Sequence, residues 1–448
     1  MAKTQIVTGI DIGTDTIKIL AARKDAESGK ISEIIFSDRV ESFGVQKGRI
    51  NSIAEVSKRL QDLLERAEKM HNQKTSRMEL FMNINGNKLQ LIPSRGLILV
   101  GRADQKVSQE DIDRIFQGTK AVNLQTSNRE ILDIFPREWI LDGEREIKEP
   151  LNLHGTRLEL EAFLLSAFSS DIDNLIEVAA ASGIELSPDN IVPSPIADAR
   201  SVLTPSQKEL GVALVNIGAG TSSVAIFEEG RLLNLSVFPV GSANITNDIA
   251  IGFKTEIEIA EKIKKEFGSC SGSGTKPRTK RLEINLDNNY EDAKDPADNF
   301  FEVNGEKKEI KLKGKNKQKK EKKNFFSFSE KDLRKIIDAR VGEIFDLIQA
   351  EIKKASKQGL LPGGIVLTGG GAKLPGIVDL AKKEFNLPCR IGYPKGFTEQ
   401  MRDPSLATAC GLIMDDDYND SQFDNDGAEG FLAKIAGKIT GFLKNLIP

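Results

Sequence analysis

The stretch that decides the fold is Gly9-Ile10-Asp11-Ile12-Gly13-Thr14-Asp15-Thr16-Ile17-Lys18. An apolar run enters a tight acidic glycine turn, and a second apolar run, Ile17 to Ala22, leaves it. The spacing predicts a β-hairpin with Gly13, Thr14 and Asp15 at its tip. Gly13 lets the backbone approach a ligand, while the threonine hydroxyls and the turn N–H groups suit phosphate oxygens. Asp11 would face the same ligand as an outer partner for Mg²⁺, which prefers carboxylates and retained waters. Many ordinary hairpins close on such a turn, so its meaning depends on whether the chain repeats it.

The repeat comes about 200 residues later. Leu210–Phe227 reads as a strand, a glycine turn (Ile217-Gly218-Ala219-Gly220-Thr221) and a second strand from Ser223. Two such units can close a nucleotide cleft between them. A third turn follows the apolar strand Gly364–Thr368: Gly369-Gly370-Gly371-Ala372, then Lys373-Leu374-Pro375-Gly376 and a helix. A strand that delivers glycines to a helix N-terminus is a nucleotide-binding arrangement.

Around these turns the pattern is α/β. Lys30 to Val40 reads as a third strand, Ile53, Val56, Leu60, Leu63, Leu64 and Ala67 recur at helical spacing over 52–69, and Leu80–Ile84 is a short strand. From Asn85 the character changes: short strands at Leu89–Ile92 and Leu97–Val100, a helix capped at Ser108-Gln109-Glu110-Asp111, and strands at Glu130–Leu141 and Arg157–Ser166 predict a small α+β insertion over 85–165. Helices follow at 171–183, about 195–203, Asn244–Ile251, Glu256–Phe267 and, after a Ser329-Glu330-Lys331-Asp332 cap, on to about Lys357.

Two segments read as solvated. Ser269–Asn324 has low hydrophobicity, with eight lysines between Lys311 and Lys323, and is expected to be a mobile insertion. Asp415–Glu429 carries seven acids and no base, the composition of an extended linker. Beyond it, Phe431, Leu432, Ile435, Ala436, Ile439, Phe442, Leu443, Leu446 and Ile447 share one helical face, with Lys434, Lys438 and Lys444 opposite. A basic amphipathic helix of this kind lies on membrane surfaces.

The 448 residues are 39% hydrophobic and 29% charged with net charge −3, which predicts several core-bearing units and argues against general nucleic-acid binding. Cys270, Cys389 and Cys410 are too few for a disulfide framework, and two histidines make a histidine-rich metal site improbable. No signal peptide is read at the start, and no run approaches the roughly 18 apolar residues of a membrane span, so a cytoplasmic protein with peripheral membrane contact is expected.

The order and spacing of the three glycine turns resemble the actin superfamily: two phosphate loops, Asp11–Lys18 and Asn216–Ser223, and an adenosine loop, Gly369–Lys373. The insertion at 85–165, the segment Ile245–Gly252 followed by Ala260-Glu261-Lys262-Ile263-Lys264, and the amphipathic tail resemble the FtsA family of bacterial cell-division proteins. The resemblance covers about 1–268 and 325–448. It implies a duplicated actin-like (ribonuclease H-like) α/β core of two lobes with an inserted small α+β (SHS2-like) domain, a flexible linker and a C-terminal amphipathic helix. The first lobe would comprise 1–84 and 166–207 and the second 208–268 and 325–414, with 269–324 inserted, 415–430 as linker and 431–448 as the membrane-targeting helix.

By the same resemblance Gly13, Thr14, Asp15, Thr16 and Lys18 would meet the β/γ-phosphates of ATP, with Gly218, Gly220, Thr221 and Ser222 closing from the other side. Gly369, Gly370, Gly371 and Lys373 would lie along adenosine, Glu261 and Lys264 would reach ribose and base, and Asp11 would hold Mg²⁺ through water. Taken by itself, the Glu261–Lys264 pair is an exposed helical ion pair. Three departures bear on turnover. Asn216 stands where the superfamily's second loop usually begins with Asp, Ala219 replaces a usual Gly, and Val192-Pro193-Ser194-Pro195 lacks the Glu or Gln that orients attacking water. ATP binding with slow or absent hydrolysis is therefore expected. The family implies self-association into filaments, the tubulin-like protein FtsZ as partner near 253–268 and 329–357, and the cytoplasmic membrane face at the division septum. The competing readings are a pilus-assembly ATP-binding protein of the same fold and, further off, a small-molecule kinase; other division proteins are possible partners of the inserted domain.

Overall fold

The computed structural model of the protein describes residues 4–25, 29–71, 79–101, 104–121, 128–271, 282–285, 325–355 and 361–414. The expected linker and amphipathic tail, and most of the lysine-rich insertion, lie outside the described residues.

The chain opens with strands β1 (Thr4–Ile12), β2 (Thr16–Asp25) and β3 (Ile31–Glu41), a two-residue pair β4 (Val45–Gln46) and β5 (Arg49–Ile50), helix α1 (Ile53–His71) and β6 (Glu79–Ile84). Then come β7 (Gln90–Leu99), α2 (Gln109–Ala121), β8 (Arg129–Leu141), β9 (Glu144–Ile147) and β10 (Arg157–Phe168). The chain returns through α3 (Ser169–Ala181), β11 (Ile191–Pro193), α4 (Ser194–Val202) and α5 (Pro205–Leu210). Its second half is β12 (Val212–Ile217), β13 (Ser222–Glu228), β14 (Arg231–Phe238), α6 (Ser242–Phe253), α7 (Ile257–Phe267), β15 (Leu282–Asn285) and β16 (Phe325–Phe328). It ends with α8 (Glu330–Ala355), β17 (Ile365–Thr368), α9 (Ile377–Phe385), β18 (Cys389–Ile391) and α10 (Ala407–Leu412).

Two five-stranded sheets share one plan. The first runs β3-β2-β1-β6-β11 and the second β14-β13-β12-β17-β18. In each, three antiparallel strands are extended by two parallel ones. Parallel strands need crossover helices, and these cover the sheet faces. On the first sheet, Val56, Leu60 and Leu63 of α1 and Leu175 and Val178 of α3 close one core. On the second, α6, α7, α8 and α9 bury Ile249, Ile263, Phe345 and Ala381.

The inserted residues form their own sheet, β7-β10-β8-β9, with α2 against it. Ile112 and Ile115 of α2 sit on Leu158 and Leu160, and Phe116 meets Trp139 edge to face at 5.8 Å. The two short strands expected at Leu89–Ile92 and Leu97–Val100 are one, β7, which pairs continuously with β10. Pro93 lies within this strand, and at the sheet edge its missing N–H costs nothing. Gly96 is required there: a Cβ would collide with the Thr119 hydroxyl of α2. The insertion at 269–324 also differs from expectation at its ends. Cys270 is fully buried, and Leu282–Asn285 pairs antiparallel with Phe325–Phe328, placing Ile284 and Phe328 in the second core. Folding therefore resumes at Phe325, ahead of the Ser329 cap.

The lobes are joined by two short helices. Helix α4 follows the last strand of the first sheet and packs both on β6 and β11 of that sheet and on β12 and β13 of the second. Helix α10 comes from the second half but lies on β1 and β2, where Ala409, Cys410 and Ile413 meet Val7, Leu20 and Ala22. The two helices cross at Gly411, where a Cβ would run into the backbone carbonyl of Ala197. Beside it a Cβ on Gly9 would lie 2.8 Å from Leu412 Cβ and 2.9 Å from the Ala409 carbonyl.

Overpacking a rigid contact costs about 1–3 kcal/mol, and a backbone neighbour cannot step aside. Gly411→Ala should accordingly lower the thermal midpoint by several degrees. Gly118→Ala on α2, where no atom lies within 4 Å, should leave it unchanged or raise it. Equal midpoints for the two variants in a calorimetric scan would remove the crossing from its structural role.

Candidate functional site

The two hairpin tips have the same geometry. The Gly13 N–H donates to the Thr16 carbonyl at 3.1 Å, and the Gly218 N–H to the Thr221 carbonyl at 2.8 Å. The strand pairing makes Asp11 equivalent to Asn216, and Lys18, opposite Asp11, equivalent to Ser223.

The tips face and touch each other. The Thr14 side chain lies over Gly220, within 2.6 Å of where a Cβ there would stand. Thr14 Oγ1 also accepts from the Gly48 N–H at 3.1 Å, and Asn85 Nδ2 donates to Thr221 Oγ1 at 3.2 Å. Asn85, just after β6, thus bridges the lobes, while Gly48, in the β4–β5 turn at φ 73°, braces Thr14 within the first lobe and lies close to the Thr221 methyl group of the second. Neither was singled out from sequence. Asp15 is exposed at the tip, and its carbonyl accepts from the Ser42 N–H at 2.9 Å. Thr16 opens β2, paired with Glu41 of β3.

On the first lobe, Lys18 Nζ lies 2.7 Å from Asp11 Oδ2, both side chains nearly buried. Asn83 Nδ2 donates to Asp11 Oδ1 and to Ser194 Oγ, each at 2.9 Å, and Asn83 Oδ1 accepts the Ile12 N–H at 2.6 Å. Both Asp11 oxygens are therefore held by protein donors. No cluster of three or more His, Cys, Asp or Glu side chains able to hold a metal occurs among the described residues.

On the second lobe the charge sits elsewhere. Asn216 Nδ2 donates to Asp198 Oδ2 of α4 at 2.7 Å, and Thr408 Oγ1 of α10 donates to Asp198 Oδ1 at 2.7 Å. Asp198 is 0% exposed. Burial pushes its acid up to about 7, with Asp11 nearby adding to the rise, against the two hydrogen bonds and Lys18.

The second loop rests on the start of α6. The Ser242 and Ala243 N–H groups donate to the Gly218 and Ala219 carbonyls at 2.8 and 2.9 Å, using up donors that a helix N-terminus leaves free. Ser242 in turn accepts from Lys264 Nζ at 3.2 Å through its own carbonyl. Lys264 pairs with Glu261 at 2.6 Å and donates to Thr246 Oγ1 at 2.8 Å. The pair is half-buried and tied to the loop, unlike the exposed ion pair its spacing alone suggests. Burial raises the Glu261 acid, but the Lys264 ammonium and the Thr246 hydroxyl outweigh it and hold it below the ordinary range. Ser222 Oγ is buried beside the loop with no hydrogen-bond partner among the described residues.

The third turn lies against the second. Gly369, at φ 84°, leaves no room for a Cβ between the Asn216 side-chain oxygen and the Ile217 carbonyl, and Gly371 leaves none beside Ile217. Gly370 faces open space apart from Ser405 Cβ at 4.0 Å. The turn passes into a short 3-10 stretch, Gly370–Lys373, so α9 begins only at Ile377. Lys373 pairs with Asp403 at 2.7 Å and lines a cavity of about 480 Å³ with Ile377, Tyr393, Arg402 and Pro404. The three turns thus converge, with Glu261 and Lys264 joined to them through α6; Lys373 is turned to Asp403.

The duplicated sheets, the two crossing helices and the paired hairpin tips define an actin-like protein. A family model described as "Cell division protein FtsA" matches residues 213–411, and one for the SHS2 domain inserted in FtsA matches 86–166. FtsA of Pseudomonas aeruginosa is 30% identical over 417 residues, spanning 92% of this chain and 89% of that protein. FtsA of Bacillus subtilis is 30% identical over 414 residues, spanning 92% and 84%. This chain belongs to the FtsA family of cell division proteins. Among solved structures the PilM–PilN type IV pilus biogenesis complex has the same fold, with a TM-score of 0.54 at 14% identity over 91% of this chain and 97% of that one.

The buried acid gives a pH prediction. Asp198 takes up a proton on folding between its ordinary 3.8 and about 7, so its contribution to stability is full below that window and is lost as pH rises through it. Asp198→Asn removes this dependence while keeping both hydrogen bonds feasible. In denaturant titrations, wild-type stability relative to the variant should fall between about pH 4 and 7 and level off above, by on the order of 1 kcal/mol per pH unit within the window. A pH-independent difference would contradict the burial argument.

Proposed function

We propose that this protein binds Mg·ATP between its lobes, self-associates, and ties an FtsZ filament to the cytoplasmic face of the membrane at the division site. The observation that carries the nucleotide reading is the pair of equivalent glycine turns facing each other across the lobe junction, with the Gly369 turn against the second. The chain's groups suit the ligand. Thr14, Asp15 and Thr16 offer turn N–H and hydroxyl groups from one side, and Gly220 and Thr221 from the other, while Gly13 and Gly218 close the two turns through their own N–H bonds and let the backbone approach. Ser222 Oγ, buried without a partner among the described residues, has a hydroxyl to donate. Lys18 supplies a buried cation beside the tip. Gly369, Gly370 and Gly371 would pass along adenosine, next to a cavity within the usual size range of small-molecule sites. Asp11 would meet Mg²⁺ through water.

Turnover is expected to be slow. Asn216 adds no charge, and Ser194, where relatives orient water, is held by Asn83. Asp198 is sealed from solvent.

The membrane reading rests on the sequence of 431–448. No helix among the described residues is long and apolar enough to cross a membrane. One short amphipathic helix binds modestly, so many of them joined in a filament gain through effective concentration. For FtsZ, α7 and α8 offer the surface, with Ile257 of α7 exposed at 56%.

Fluorescent ATP should bind the full chain with Mg²⁺, and Lys264→Ala should weaken it about tenfold, the value of one charge-assisted contact. Deleting 431–448 should abolish sedimentation with anionic liposomes and remove ATP-dependent filaments from a lipid monolayer. Undiminished sedimentation would sink the anchor.

A further inference from the structure

The two half-sites are equivalent in backbone but not in charge. In the first, the strand itself supplies the carboxylate, Asp11, and Lys18 stands opposite. In the second, the matching strand position is the neutral Asn216, opposite Ser223. The carboxylate beside it comes instead from α4, as Asp198, 2.7 Å from the Asn216 amide nitrogen.

That bond fixes which way the amide points. The NH₂ group faces Asp198, and the carbonyl oxygen is turned toward the Gly369 turn, whose missing Cβ makes room for it. Thr408 secures the other carboxylate oxygen from α10. One helical turn earlier on the same face of α4, Ser194 is bound by Asn83, which holds Asp11. A single short helix thereby carries a partner for each half-site.

We propose that Asp198 is a positioning residue of the cleft: it sets the Asn216 amide toward the third glycine turn and, through α4, holds the second half-site in register with Asp11. This rests on the nucleotide reading above. The carboxylate and the amide are then exchangeable. An amide at 198 could donate to a carboxylate at 216 and still accept from Thr408, whereas removing either group frees the other.

The test is a double-mutant cycle on the full chain, read as affinity for fluorescent ATP with Mg²⁺ well below the thermal transition of each variant. Asp198→Ala and Asn216→Ala should each weaken binding about tenfold, as loss of a charge-assisted hydrogen bond does. The double alanine variant should be no more than about twofold weaker than the worse single. The exchanged pair, Asp198→Asn with Asn216→Asp, should recover most of the wild-type affinity, which a merely space-filling role would not produce. If an alanine variant does not fold, the exchanged pair compared with Asn216→Asp alone decides the matter, because two adjacent buried carboxylates should bind worst. Additive losses, near a hundredfold in the double variant, or an exchanged pair as weak as Asn216→Asp alone, overturn the proposal while leaving nucleotide binding intact. A wild-type chain that binds no ATP overturns both.

Discussion

The architecture depends on one close approach, the crossing of α4 and α10 at Ala197 and Gly411. Helix α4 packs between the two sheets and α10 packs on the first sheet although it comes from the second half, so the lobes are interlocked through backbone and not merely docked side by side. Such a crossing is possible only where side chains vanish. Gly411 lets one helix meet the carbonyl of the other, and Gly9 lets α10 settle on β1. Small residues at the crossing, Ala197, Ala199, Ala407 and Ala409, are all buried and extend the contact. Because packed interiors yield little, the angle between the lobes is set here and transmitted to whatever lies between the hairpin tips.

The same helix distributes charge. The first half-site holds a compact ion pair, Asp11–Lys18, already satisfied by Asn83. The second holds an acid that burial keeps close to neutral, braced by an amide and a hydroxyl. Two full carboxylates around a single lysine would repel in a medium that screens poorly; one fixed and one near-neutral acid relieve that repulsion.

Local order was legible in the sequence and long-range contact was not. The hairpins at Asp11–Lys18 and Asn216–Ser223 declared themselves through strand, turn and strand, and their repetition announced the duplicated sheet order. The inserted domain showed as a change of pattern at Asn85. By contrast, Asp198 sits in Ser194–Val202, a short helix where a lone acid reads as a solvated residue; only the fold reveals eight of its nine positions as buried. Gly48 and Asn85 are ordinary turn residues until the second lobe brings Thr221 to them. β7 runs unbroken through Pro93 and Gly96, because the first sits on an edge strand and the second makes room for α2, neither of which shows in the local sequence. Strand β15 was hidden within a polar stretch because its partner, Phe325–Phe328, lies beyond the lysine run. The pairing of Lys373 with Asp403, thirty residues on, is another contact that the local sequence does not announce.

The placement of α10 also has a mechanical side. Residues beyond 414 continue from this helix, which lies on the first sheet although it follows the second half of the chain. A pull on that end loads α10 along the faces of β1 and β2 and against α4. The contact resists in shear, across many packed atoms at once, and no strand is drawn off an edge bond by bond. Because α10 also holds Asp198 through Thr408, such a load would reach the junction of the two lobes directly.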